Sequence, residues 1–138
     1  MGVSIKIWAI IYLSTIGAFL ILDGLWLGLI AKSFYASQLG DLMAKPIRIL
    51  PAGIFYLMYA VGLVVIAIRP GDATVGLAQA AAMGALVGFL AYGTYDMTNL
   101  STIEGWPLKM SLVDWAWGTF VTGFACGVGA WAKLILIK

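Results

Sequence analysis

The stretch Ile7-Trp8-Ala9-Ile10-Ile11-Tyr12-Leu13-Ser14-Thr15-Ile16-Gly17-Ala18-Phe19-Leu20-Ile21-Leu22-Asp23-Gly24-Leu25-Trp26-Leu27-Gly28-Leu29-Ile30-Ala31 carries a single charge, Asp23, between the flanking Lys6 and Lys32. A helix needs about 20 mostly apolar residues to cross about 30 Å of hydrocarbon, and this stretch exceeds that. It is longer than the apolar region of a signal peptide and shows no small-residue cleavage site, so it reads as a retained span. An acid inside such a span costs about 2.5–3.5 kcal/mol on insertion scales, so it is expected to face protein or water and to mark function.

Three further stretches repeat the pattern, which places spans at about 6–31, 48–68, 74–96 and 111–135. The chain, 63% hydrophobic and 10% charged with a mean hydropathy of +1.03, is too apolar for a soluble domain of 138 residues. The expected fold is an all-α integral membrane protein: one domain over 1–138, with four transmembrane helices in an antiparallel bundle. Arg69-Pro70-Gly71-Asp72 breaks the second span from the third and predicts a tight hairpin. Tyr35, Leu39, Leu42 and Met43 stand at helical spacing after Ser33, a candidate cap, so residues 33–45 read equally as a short interfacial helix or an ordered loop. Lys6, Arg69, Lys133 and Lys138 on one side balance Lys32, Lys45, Arg48 and Lys109 on the other, a tie under the positive-inside rule.

The charge of +2 comes from scattered Lys and Arg without a basic stripe, which excludes a nucleic-acid partner. With Cys126 alone and no histidine, the chain lacks the usual zinc, haem and iron–sulfur ligand sets, so no metal site and no cofactor is expected. The partner is the lipid bilayer. Gly76, Ala80, Gly84 and Gly88 recur every fourth residue and make a ridge that a neighbouring backbone can approach. That ridge suits packing within the chain or a homodimer. Gly24 with Gly28, and Gly123 with Gly127, repeat the device.

Asp23, Asp96 and Asp114 fall in one half of the four-span topology, with Asp23 deep and the other two near the interface. Asp23 and Trp26 share a face by i,i+3 spacing, as do Asp96 and Asn99. Tyr56 and Tyr95 belong to the same half, so Asp23, Asp96, Asn99, Asp114, Tyr56, Tyr95 and Trp26 form the candidate ligand-binding set. Each acid also has a structural reading. Ser111-Leu112-Val113-Asp114 matches a capping box at a helix starting at Ser111. Asp96 pairs with Arg48 or with hydroxyl groups, and Asp23 with a hydroxyl on another helix.

Asp23-Gly24-Leu25-Trp26-Leu27, Pro51-Ala52-Gly53-Ile54-Phe55-Tyr56, Tyr92-Gly93-Thr94-Tyr95-Asp96-Met97-Thr98-Asn99-Leu100, Trp106-Pro107 and Asp114-Trp115-Ala116-Trp117-Gly118 together carry a resemblance. The chain resembles small bacterial four-span predicted membrane proteins catalogued only as a domain of unknown function, with Tyr-Asp-x-Thr-Asn as the signature. The resemblance implies four spans and a multi-pass place in the cell inner membrane, and brings no activity. From the residues, the leading expectation is binding or translocation of a small ligand, proton or cation at a carboxylate-lined vestibule. A lipid-modifying intramembrane enzyme and a non-catalytic assembly subunit are the alternatives, and whether the protein is an enzyme stays open.

Overall fold

The computed structural model describes residues 2–137, and within them every regular element is a helix, with no strand. Helix α1 (Ile5–Leu25) begins at Ser4, whose hydroxyl accepts from the Ile7 N–H, and ends in a π turn over Trp26–Ile30. Helix α2 (Lys32–Leu39) is short and leads through a 3₁₀ turn to α3 (Ile49–Leu63), which also ends in a π turn, Val64–Ile68. Helices α4 (Leu77–Thr102) and α5 (Leu108–Leu136) complete the bundle. Four helical segments, Ile5–Ile30, Ile49–Ile68, Leu77–Thr102 and Leu108–Leu136, are long and apolar enough to cross a membrane. The chain is an all-helical, four-span membrane protein, and the connection after the first span is a helix.

The last two spans are longer at the acid-bearing end than their composition suggests. Thr94, Thr98 and Thr102 each donate a side-chain hydroxyl to a carbonyl four residues back, so this polar stretch satisfies itself on its own helix and α4 continues to Thr102. Helix α5 starts at Leu108, with Pro107 as its N-cap residue. Ser111 is therefore inside the helix, donating to the Pro107 carbonyl and accepting from Trp106 Nε1 at 2.9 Å. The capping box does not form, and Ser33 does not cap α2, whose N-cap residue is Ala31 without a side-chain bond.

Helix α5 is the spine. It runs beside α4 for most of its length, crosses α1 and touches α2. The α4–α5 seam is where small residues matter. A Cβ on Gly84 would stand 2.5 Å from Cys126 Sγ, and one on Gly88 would stand 2.5 Å from the Gly118 carbonyl oxygen. Ala80, Gly84 and Gly88 are all buried, and α5 of the same chain lies against Gly84 and Gly88, whereas Gly76 at the start of the ridge has open space beside it. Gly123 packs on Ala81 and Ala85 in the same seam, whereas Gly24 and Gly28 are exposed with open space beside them. The glycine pair of α1 is not a packing ridge.

Helix α3 is attached differently. It lies on α1, where Phe19 meets Tyr56 and Tyr59 edge to face at 5.7 and 5.6 Å, and it approaches α4 and α5 chiefly through its terminal π turn. There Lys133 of α5, 4% exposed, donates from Nζ to the carbonyls of Ile68, Arg69, Asp72 and Val75 at 2.6–3.3 Å. An ammonium at a helix C-terminus meets carbonyls that have no partner within the helix. Lys133 thus ties the α3–α4 hairpin to α5. At the opposite end nothing equivalent holds α3 to α4, and a gap remains.

Candidate functional site

The gap between α3 and α4 holds a cavity of about 490 Å³. Helix α1 and α5 supply its acids, Asp23 and Asp114; α3 supplies Phe55 and Tyr56; α4 supplies Tyr92 and Tyr95. Asp23, Asp96 and Asp114 lie at similar depth because α4 and α5 are extended. Asp96 precedes Thr102 by six residues and Asp114 follows Leu108 by six, about 9 Å of rise in each case. Asp23 is seven residues, about 10 Å, from the end of its span at Ile30. The expected gradation from rim to interior is replaced by one layer.

The three carboxylates differ in what they hold. Asp23, 4% exposed, accepts from the Tyr56 hydroxyl through one oxygen and from Trp117 Nε1 at 2.9 Å through the other. Asp114 Oδ1 accepts from the Tyr35 hydroxyl at 2.7 Å, and that hydroxyl accepts from Trp26 Nε1 at 3.1 Å. Asp96 is fully buried, and neither of its oxygens has a hydrogen-bond donor. Its carboxyl group stands within hydrogen-bonding reach of Asp114, which offers no proton when ionised. Buried carboxyl groups without donors cost several kcal/mol, and a facing pair is satisfied only by a proton held between its oxygens or by a cation brought to it.

Among the described residues no lysine or arginine lines this cavity. Among the described residues the one ion pair is Arg69–Asp72, at the far end, so Arg48 does not pair with Asp96. Of the expected set, Asp23, Asp114, Tyr56 and Tyr95 meet on the cavity wall, and Asp96 lies off the wall within hydrogen-bonding reach of Asp114. Trp26 stands off the wall, stacked on Trp117 with ring centroids 4.4 Å apart and 10° between planes. Asn99 lies one turn beyond Tyr95 and is not part of the wall.

Tyr35, Tyr92 and Trp117 belong to this constellation and were outside the candidate set. For Trp117 the signal was available, since Asp114 and Trp117 share a helical face by the same i,i+3 spacing as Asp23 and Trp26. Tyr35 reaches Asp114 only because α2 folds back on α5. Burial, reinforced by the Asp114 charge, pushes the Tyr35 hydroxyl well above its ordinary range, so it remains a donor at physiological pH.

The sequence strings around these acids divide between seam and site. A Cβ on Gly118 would collide with the Tyr92 ring, and one on Gly93 would lie 2.6 Å from Trp115 Nε1, which donates to the Phe89 carbonyl at 2.8 Å. Gly93, Trp115 and Gly118 therefore lock α4 to α5 in the register that brings Asp96 opposite Asp114. A family model described as a predicted membrane protein, DUF2177, matches residues 8–131. The chain belongs to this family. The match takes in every helix that contributes to the cavity, including all three acids. No curated protein and no solved structure matches the chain.

Proposed function

We propose that this protein binds, and passes across the bilayer, a proton or a small cationic ligand at the cavity between α3 and α4, in the inner membrane of a bacterial cell. The observation that supports this reading is Asp96, buried without a donor for either oxygen and close to a second carboxylate, with no basic side chain among the described residues that line the cavity. Membrane proteins keep such acids where ions or protons move, since a span without that use loses free energy by carrying them. Asp23 is already occupied by Tyr56 and Trp117, so the working pair is Asp96 and Asp114.

The test is gradient dissipation in proteoliposomes. Wild-type protein is expected to collapse an imposed proton or cation gradient faster than empty vesicles, and Asp96→Asn to return the rate to that of the lipid. Equal leak from wild type and Asp96→Asn defeats the proposal.

A further inference from the structure

The geometry points to an amphipathic ammonium compound, an apolar body bearing one protonated amine, as the ligand that enters this cavity from the bilayer between α3 and α4. The inference rests on the carboxylate-site reading and narrows it to a ligand class and a route. Three observations carry it.

The first is charge. Asp23 and Asp114 face the cavity without a neighbouring cation, and only one of the two oxygens of Asp114 is taken by a donor. Next to Asp114, Asp96 is buried without a donor for either oxygen. A ligand that completes this layer carries positive charge and N–H donors. A phosphate or carboxylate finds no positive charge among the described residues of this wall and meets two acids.

The second is the wall. Apart from the acids it consists of four aromatic side chains and the apolar side chains of Leu27, Pro51, Ala52 and Ala91. Aromatic faces attract cations and bury apolar carbon, and about 490 Å³ is within the range of sites for drug-sized molecules. A bare hydrated cation leaves most of that surface unused.

The third is access. The cavity is bounded by α3 and α4, which approach one another chiefly at the π turn tied by Lys133. The remaining gap leaves Tyr95, on the α4 side of the cavity wall, 54% exposed, and Pro51, on the α3 side, exposed as well. In the membrane such a gap faces lipid, where an amphipathic amine concentrates.

Calorimetric titration of the full chain in neutral detergent tests this with three probes: 4-phenylbutylammonium, methylammonium and uncharged 4-phenylbutanol. The expected result is one phenylbutylammonium per chain, bound at least tenfold more tightly than either of the others. Asp114→Asn is expected to weaken it at least tenfold. Ala91→Phe, which places a large ring on the α4 side of the gap, is expected to abolish phenylbutylammonium binding. Equal binding of methylammonium overturns the amphipathic class but leaves the carboxylate site standing, whereas equal binding of the alcohol overturns the role of charge. Unimpaired phenylbutylammonium binding by Ala91→Phe overturns the route. Phosphatidylethanolamine offers the same amine with a phosphate attached. Failure of its short-chain form to compete identifies a free amine, and competition overturns that choice in favour of a lipid headgroup.

Discussion

Lys133→Met removes the clamp that joins the α3–α4 hairpin to α5. Its Nζ reaches four carbonyls, of which those of Ile68 and Val75 belong to residues 0% and 1% exposed. Hydrogen bonds from a charged donor contribute about 1.5–3 kcal/mol each, so two at the low end give about 3 kcal/mol. The carbonyls of Arg69 and Asp72 can turn to water. Methionine no longer bears the cost of burying an ammonium, which offsets part of the loss and leaves about 2–3 kcal/mol of destabilisation. Reversible unfolding in mixed micelles, followed by circular dichroism against rising SDS, measures this directly. Lys133→Arg is not expected to restore stability, because a planar guanidinium cannot aim its donors from one point at four converging carbonyls. Lys109→Met, on an exposed side chain, is the control. A Lys133→Met protein within about 0.5 kcal/mol of wild type, the ordinary range for surface substitutions, refutes the clamp and with it the account of why the bundle is closed at only one end.

Gly88→Ala is expected to cost about 1–3 kcal/mol in the same assay, since its methyl would enter the Gly118 carbonyl across the seam, whereas Gly24→Ala is expected to be neutral or stabilising by about 0.5–1 kcal/mol. Equal effects would dissolve the distinction between the two glycine sets. Tyr35→Phe removes the donor to Asp114 and the acceptor of Trp26. Amide exchange across 32–42 is expected to rise at least tenfold, with unchanged exchange as the opposing result. Thr74 donates its N–H and hydroxyl to Asp72 Oδ1 and holds that carboxyl below its ordinary range. A lowered folded-state pKa contributes stability above the ordinary carboxylate range, lost as pH falls through the folded value. Protection from exchange at residues 72–75, relative to the intrinsic rate at each pH, is therefore expected to fall below about pH 4, the ordinary aspartate range, and Asp72→Asn to flatten that dependence.

Hydropathy alone determined four spans, their alternation and the half of the molecule that holds the acids, because each residue in lipid is selected by its own transfer free energy, independent of its neighbours. It misjudged where α4 ends, because the hydroxyls of Thr98 and Thr102 look like loop residues until they are seen bonded to their own helix. The Ser111–Asp114 spacing fits a capping box equally well inside a helix as at its start, and only the position of Pro107 distinguishes the two. The small-residue ridge was legible as a close approach but not as an approach to a particular partner. Which partner fills it depends on complementary shape, and Gly118, Thr122 and Cys126 supply that from a distant part of the chain. The difference between a satisfied Asp23 and an unsatisfied Asp96 likewise exists only in three dimensions. A hydrogen bond is a matter of a few tenths of an ångström and an angle, and Tyr56, Trp117 and Tyr35 reach the acids from other helices.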